Sequence, residues 1–405
     1  MKILHTSDWH LGHKLYGNPR HQEHGDFLNW LTRTIEEQKV ELLIVAGDIF
    51  DSQAPSNQSL AMYYSFLSEI TKSCCRHVII IGGNHDSPTL LNAPKEILSF
   101  LNIHIVGKAP ENREDEIILI RDDSNTPEIM VLAVPYLRDK DVRSSVAGES
   151  IADKQQKLLT GIREHYITLT DLALQRQKDM HITVPLIATG HLFCQGGKTR
   201  QDDGIRELYV GTLVHLTLDS FPDDIDYLAL GHLHLPQKIS GQERRRYSGS
   251  PLAMSFSEAN EEKKIILIET APTLTVHEFP VPRFQQLQSI SGDLETILEK
   301  IAELRTGEES IFLEIFYKGF HLIDDLQEQI SCAVQDSRIT VLRISNKHIR
   351  DHILKQSSEV KTLEELTPRQ VFQQCLEVNE VPEEQRDELI FGFNTALYAL
   401  QNMTE

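Results

Sequence analysis

Residues 42–48 read Leu42-Leu43-Ile44-Val45-Ala46-Gly47-Asp48, an unbroken apolar run closed by a glycine and a single carboxylate. A short apolar run bounded by turn chemistry predicts a strand buried on both faces, as inside a parallel sheet. The same grammar recurs on either side. Ile3-Leu4-His5 leads to Asp8-Trp9-His10, and Val78-Ile79-Ile80-Ile81 leads to Gly83-Asn84-His85-Asp86. Leu186-Ile187-Ala188 leads to Gly190-His191, and Tyr227-Leu228-Ala229-Leu230 to Gly231-His232-Leu233-His234. Weaker strands are predicted at 103–106, 117–120 and 129–134. Between the strands, Phe27, Leu28, Leu31 and Ile35 fall at helical spacing, a second helical stretch surrounds residues 60–70, and a long polar helix is predicted over 151–180. Alternating strands and helices predict a layered α/β fold.

From residue 264 the texture changes. Ile265-Ile266-Leu267-Ile268 and Leu274-Thr275-Val276 predict a closing hairpin, with Phe279-Pro280-Val281-Pro282 as an exit linker. Residues 285–348 predict helix, strand (311–316), helix, strand (339–344), a compact α+β unit. In the tail, Thr367-Pro368 is a helix-start signal, and Val371, Phe372, Cys375 and Leu376 share a face. A second helix starting near Pro382 carries Leu389, Ile390, Phe393, Leu397 and Leu400. The expected division is 1–280, 281–348 and 349–405.

With 405 residues, 40% hydrophobic and 25% charged, the composition is globular, and the chain is long enough to bury a core without disulfide or metal staples. No apolar run reaches the roughly 18 residues of a membrane span, and the start runs directly into a strand without a signal-peptide stretch. Five irregularly spaced cysteines without a C-x-x-C pair suit a reducing compartment and argue against a disulfide framework or a structural zinc site. The expectation is a cytoplasmic protein with no membrane partner. The formal charge of -20 opposes loose attraction to nucleic acid, so a polyanionic substrate needs local positive charge.

The five polar clusters each follow the carboxyl end of an apolar strand, where α/β sheets place their ligand sites. Carboxylate, amide and imidazole ligands suit manganese, iron or zinc, and no thiolate insists on zinc. The candidates are Asp8, His10, Asp48, Asn84, His191, His232 and His234. Seven are too many for one ion of ordinary coordination and suit two ions sharing a bridging carboxylate, for which Asp48 is the natural choice. Two ions about 3.5–4 Å apart can activate water and neutralise a phosphoryl transition state. Taken singly, an Asp-x-His after a strand is more often a turn or helix cap, and Asn84 could mark a plain turn. The conjunction of all five, in order and each after a strand, is what favours a metal site.

The ordered set DxH, GD, GNHD, GH and GHxH resembles that of the calcineurin-like metallophosphoesterases. Longer words carry the resemblance to the SbcD-type nuclease family within them: His5-Thr6-Ser7-Asp8-Trp9-His10-Leu11-Gly12, Ala46-Gly47-Asp48-Ile49-Phe50-Asp51, Ala188-Thr189-Gly190-His191, and Tyr247-Ser248-Gly249-Ser250-Pro251. The resemblance implies a two-sheet layered metallophosphoesterase core, a smaller α+β capping domain and C-terminal helices. It implies that Asp8, His10, Asp48 and His234 hold one metal, usually Mn2+, and that Asp48, Asn84, His191 and His232 hold the other. His85 would be catalytic, orienting the scissile phosphate and protonating the leaving oxygen, a role apt for an imidazole near neutral pH. Asp86 would either orient His85 or hold a turn.

The implied function is a two-metal DNA nuclease, an ATP-dependent double-strand exonuclease and single-strand or hairpin endonuclease serving DNA recombination, repair and replication. ATP would bind a partner, since this chain lacks a G-x-x-x-x-G-K-[ST] loop. The implied partners are DNA, an SbcC-like coiled-coil ATPase docking on the C-terminal helices, and a second copy, giving a homodimer within a heterotetramer. Residues 60–66 are a candidate dimer helix or ordinary core. Lys198-Thr199-Arg200, Arg244-Arg245-Arg246, and Arg138 with Lys140 are candidate phosphate contacts or plain surface. Other readings are a phosphomonoesterase or cyclic-nucleotide phosphodiesterase on the same scaffold, and a non-catalytic DNA clamp. The complete ligand set argues against the clamp, and the large cap and helical tail argue against a small substrate.

Overall fold

The computed structural model describes residues 1–143, 148–194, 216–307, 309–319, 323, 325–346 and scattered positions between 372 and 394. The chain divides into two compact units, Met1–Gln286 and Leu287–Glu405.

The first unit is built on two six-stranded sheets. One runs in the order Thr275–Pro280, Lys264–Glu269, Lys2–Thr6, Leu42–Ala46, His77–Ile81, Ile103–Val106. Its last four strands are parallel, and the first two form an antiparallel hairpin against Lys2–Thr6. The other runs Gln237–Ile239, Gln242–Tyr247, Tyr227–Gly231, Leu186–His191, Pro127–Leu132, Ile117–Arg121. Its four central strands are parallel.

Side-chain alternation along each strand turns these sheets into layers. Leu43 and Val45 pack outward against Phe27, Leu31 and Phe66 of the helices His21–Gln38 and Asn57–Ile70. Leu42, Ile44 and Ala46 face inward, into a core shared with Ile129, Val131, Ile187 and Ala229 of the second sheet. The outer face of that sheet is covered by Leu158, Ile162, Tyr166 and Leu169 of the helix Ile151–Asp179. Ser150 starts that helix with a capping box to Asp153, which satisfies amides the first turn leaves open. Because both faces of Leu42–Ala46 are buried, its sequence is uniformly apolar rather than alternating.

The second unit has a three-stranded sheet in the order Gln286–Gly292, Ile311–Tyr317, Ile339–Asn346, with the last two parallel. Helices Leu294–Leu304 and Leu326–Val334 bury Ile297, Ile301 and Ile330 against Leu313 and Ile315. Two expectations need correction. The unit opens with a strand, not a helix; the mixed Gln286-Leu287-Gln288-Ser289-Ile290-Ser291-Gly292 is an edge strand, whose polar residues hide it from an apolar-run reading. Phe279 and Pro280 are also not linker, because they pair with Ile265 and Lys264 as the end of the hairpin. Lys198-Thr199-Arg200 and nearly all of 349–405 lie outside the described residues; within the tail, the rings of Phe372 and Phe393 stack at 4.1 Å. No helix among the described residues is long and apolar enough to cross a membrane.

Candidate metal centre

All seven predicted ligand residues come together at the carboxyl ends of the parallel strands of both sheets. The backbone there is bent into the left-handed region at four of them, with φ of 53° at Asp8, 47° at His10, 51° at Asp48 and 101° at His232. Such conformations in non-glycine residues cost of order 1–3 kcal/mol each and persist only where surrounding structure fixes them. Here it does: Asp8 N donates to the Gly47 carbonyl and His10 N to the Asp48 carbonyl, both at 3.0 Å. Glycine is required beside them. A Cβ on Gly83 would lie 2.2 Å from Asp48 Oδ1, and one on Gly231 would lie 2.0 Å from the Ala46 carbonyl oxygen.

Asp48 sits at the middle. Its Oδ2 is 3.1 Å from His191 Nε2 and 3.7 Å from His10 Nε2, while its Oδ1 accepts the His85 amide at 2.8 Å. On one side, His10 Nε2 and His234 Nε2 approach to 3.2 Å, and Asp8, His10 and His234 each bring a ligand atom within 4.8 Å of the others. On the other, Asn84 Oδ1 lies 2.9 Å from His191 Nε2 and 3.1 Å from His232 Nδ1. Asp8, Asp48 and His191 form a further convergent group. The outer nitrogen of His191 donates to the Ala46 carbonyl at 2.9 Å, so Nε2 is the nitrogen that faces inward and would bind an ion once its proton leaves. Apart from half-buried Asn84, the seven are buried.

The electrostatics fit a cation. Burial raises the Asp8 carboxyl, and the nearby Asp48 charge raises it further, although His191 and His10 act the other way. For Asp48, burial is outweighed by the imidazoles of His191, His10 and His85, which hold it well below the carboxylate range. For His191, burial is likewise outweighed, by Asp48 and Asp8, and its pKa rises to about 9. Buried carboxylates facing imidazole nitrogens at these distances are a donor set of the kind that divalent ions such as manganese take.

His85 stands at the edge of this group, half-buried, with its ring 4.9 Å from that of His10. Its Nδ1 donates to the Asp51 carbonyl at 2.9 Å. Asp86 does not orient it. That carboxylate is fully buried and accepts the backbone amides of Gly83 at 2.9 Å, Phe50 at 2.9 Å and Ile49 at 3.2 Å, so it ties the two loops together.

Other residues support the centre although nothing in the sequence assigns them a role. Ser7 Oγ donates to Asp8 Oδ2 at 2.5 Å and lies 2.8 Å from Ser248 Oγ. The Tyr247 hydroxyl donates to the Leu192 carbonyl and accepts the Cys194 amide, both at 2.8 Å, fixing the chain after His191. Asp51 Oδ1 is 3.4 Å from His10 Nδ1. The words containing Ser7, Asp51, Tyr247 and Ser248 stand out in the sequence, but nothing in their spacing tells which atoms meet.

The arginine run is corrected in part. Arg246 is 1% exposed and its guanidinium is taken by Glu243 and Glu278, so it is not a free phosphate contact. Arg138 and Lys140, half-buried and exposed, follow Tyr136, whose ring is 6.4 Å from that of His191, and so lie in sequence beside the rim of the centre. In the helix Asn57–Ile70, Tyr63 and Phe66 are core, whereas Tyr64 is exposed.

The calcineurin-like phosphoesterase family matches residues 1–236, and the type 5 capsule protein repressor C-terminal domain matches residues 283–380. The chain is 34% identical over 407 residues to the SbcD subunit of nuclease SbcCD from Escherichia coli strain K12, covering 99% of this chain and 98% of that protein. It is 34% identical over 275 residues to the SbcD subunit from Bacillus subtilis strain 168, covering 67% of each. The protein of the same name from Rhodobacter capsulatus is 32% identical over 289 residues, covering 70% of each.

Proposed function

The chain belongs to the calcineurin-like phosphoesterase family and, within it, to the SbcD subunits of SbcCD nucleases, and from that membership we propose how its centre works and what it works with. It is a metal-dependent nuclease, a phosphodiester hydrolase. In our reading it holds two ions, most suitably Mn2+. Asp8, His10, Asp48 and His234 are the ligands of one, and Asp48, Asn84, His191 and His232 the ligands of the other. The observation that carries this reading is the position of Asp48 Oδ2, within 4 Å of ring nitrogens belonging to both sets.

Divalent ions there supply charge neutralisation for the phosphoryl group and lower the pKa of water. The chain's own residues do the rest. Asp48 Oδ1 fixes the backbone of His85, and the Asp51 carbonyl fixes its ring, leaving Nε2 to donate a proton to the departing oxygen. Burial holds the His85 pKa below its ordinary value, and the charge of a bound phosphate opposes that shift.

The substrate is DNA, cut as an ATP-dependent double-strand exonuclease and a single-strand or hairpin endonuclease in recombination, repair and replication. The partner is an SbcC-type coiled-coil ATPase, with two copies of this chain in a heterotetramer acting in the cytoplasm. Residues 1–280 form the nuclease domain, 281–348 the capping domain, and 349–405 the helical segment that docks the ATPase. End-labelled duplex and hairpin DNA and a small phosphomonoester, each given Mn2+ with and without the ATPase partner and ATP, test this. DNA cleavage that grows with partner and ATP, with little turnover of the ester, is the expected result. Strong ester turnover without DNA cleavage would transfer the assignment to a phosphomonoesterase.

A further inference from the structure

Behind His234 the fold buries a second charged pair that the reading above does not use. Glu258 and Lys263 are 3% and 6% exposed, and the Lys263 ammonium lies 2.5 Å from Glu258 Oε2, which also accepts the Met254 amide at 3.0 Å. The other oxygen, Oε1, is buried, has no hydrogen-bond partner among the described residues and faces His234 Nδ1 at 4.0 Å. Lys263 also donates to the His234 carbonyl at 3.0 Å and to Ser250 Oγ at 2.9 Å, and Ser250 N donates to that same carbonyl at 3.1 Å. A buried ion pair brings a large desolvation cost, and a buried carboxylate oxygen without a donor adds to it.

What it faces is the outward nitrogen of His234, whose Nε2 points at His10 Nε2 across 3.2 Å. His191 and His85 have their outward nitrogens on backbone carbonyls, and behind those of His10 and His234 stand the carboxylates of Asp51 and Glu258. We propose that Glu258 is a positioning residue for the metal centre: it accepts the Nδ1–H of His234 and so presents the Nε2 lone pair to the ion. Lys263 holds both the carboxylate and the His234 backbone in register. A shift of about 1 Å in either side chain brings the pair to hydrogen-bond distance. This inference rests on His234 being a metal ligand.

The test is a Mn2+ titration of the metal-free protein, followed by calorimetry and by electron paramagnetic resonance, which separates spin-coupled ion pairs from lone ions. Urea unfolding runs alongside. Glu258→Gln is expected to weaken one of the two ions about 10–100-fold and to leave the other unchanged, giving a lone-ion signal at ion concentrations that pair the wild type. The double variant Glu258→Gln, Lys263→Met removes the stranded ammonium and is expected to fold well yet show the same selective loss. Wild-type binding in both variants, with His234→Ala weakened, would overturn the role of Glu258 alone. Wild-type binding in His234→Ala would overturn the ligand assignment itself. Equal weakening of both ions, tracking a loss of unfolding stability, would make Glu258 a fold residue and also overturn the proposal.

Discussion

The backbone carbonyl of Asp51 accepts the Nδ1–H of His85 at 2.9 Å, so the tautomer of the candidate acid is set by a main-chain atom. A carbonyl oxygen can only accept, which places the proton on Nδ1 and leaves Nε2 as the atom that exchanges protons with substrate. The His85 ring meets the group through His10 and Asp51 rather than through a contact with the Asp48 carboxylate, to which its backbone amide donates. His85→Ala is therefore expected to lower DNA cleavage about 10²–10⁴-fold while Mn2+ stoichiometry stays at the wild-type value. Cleavage rates and metal titration on the same preparation check both halves.

Asp86 carries a structural load instead. Its carboxylate satisfies the buried amides of Gly83, Ile49 and Phe50, which join the loop of Asn84 to the loop of Asp48. Asp86→Ala leaves three donors unmatched and is expected to cost at least about 3 kcal/mol of unfolding free energy, with Asp86→Asn costing less because one acceptor oxygen survives. Urea unfolding measures both.

Arg246 and Arg138 are expected to separate cleanly. Arg246 is buried between Glu243 and Glu278, both of which reach solvent, so Arg246→Ala should cost roughly 1–3 kcal/mol of stability and leave the salt dependence of DNA binding unchanged. Arg138→Ala should leave stability unchanged and reduce the slope of log affinity against log salt by about 1, the share of one phosphate contact. Binding isotherms across a salt series decide between them.

The legible and illegible parts of this molecule follow from the same physics. The strand Leu42–Ala46 is buried on both faces, so its identity is written in five consecutive residues. The seven candidate ligands are readable as a group because each sits directly after such a strand, and adjacency in sequence carries over to the structure. Arg246 defeats a sequence reading because a run of three arginines looks like surface, whereas its burial depends on Glu278, paired through a strand 32 residues later. The hold of Asp51 on His85 is a backbone contact, which side-chain identity does not encode. Glu258 and Ser248 reach the centre only through three-dimensional folding, and the left-handed turns at Asp8, His10, Asp48 and His232 have no composition signal beyond neighbouring glycines.

Part of the acid sensitivity should come from buried rings outside the ligand cluster, with the lowered ring of His232 adding to it. Burial pushes the pKa of His5 down to about 3, and burial together with the Arg20 charge pushes that of His24 down to about 3. Both are neutral in the fold at pH values where the unfolded chain protonates them, so the unfolded state binds more protons between about 6.5 and 3. Stability should fall as pH drops through this window, by about 1.4 kcal/mol per pH unit for each ring. Urea unfolding of the metal-free protein at pH 7 and pH 5 measures the slope, and His24→Gln should remove one ring's share of it.

The most direct test of the account is DNA cleavage measured while Mn2+ is added stepwise to the metal-free protein. The Asp48-centred arrangement predicts that cleavage of a labelled hairpin stays low through the first equivalent, rises as the second ion binds, and is absent at every Mn2+ level in Asp48→Asn. Full cleavage at one equivalent, or an Asp48→Asn variant that cuts like the wild type, would contradict it.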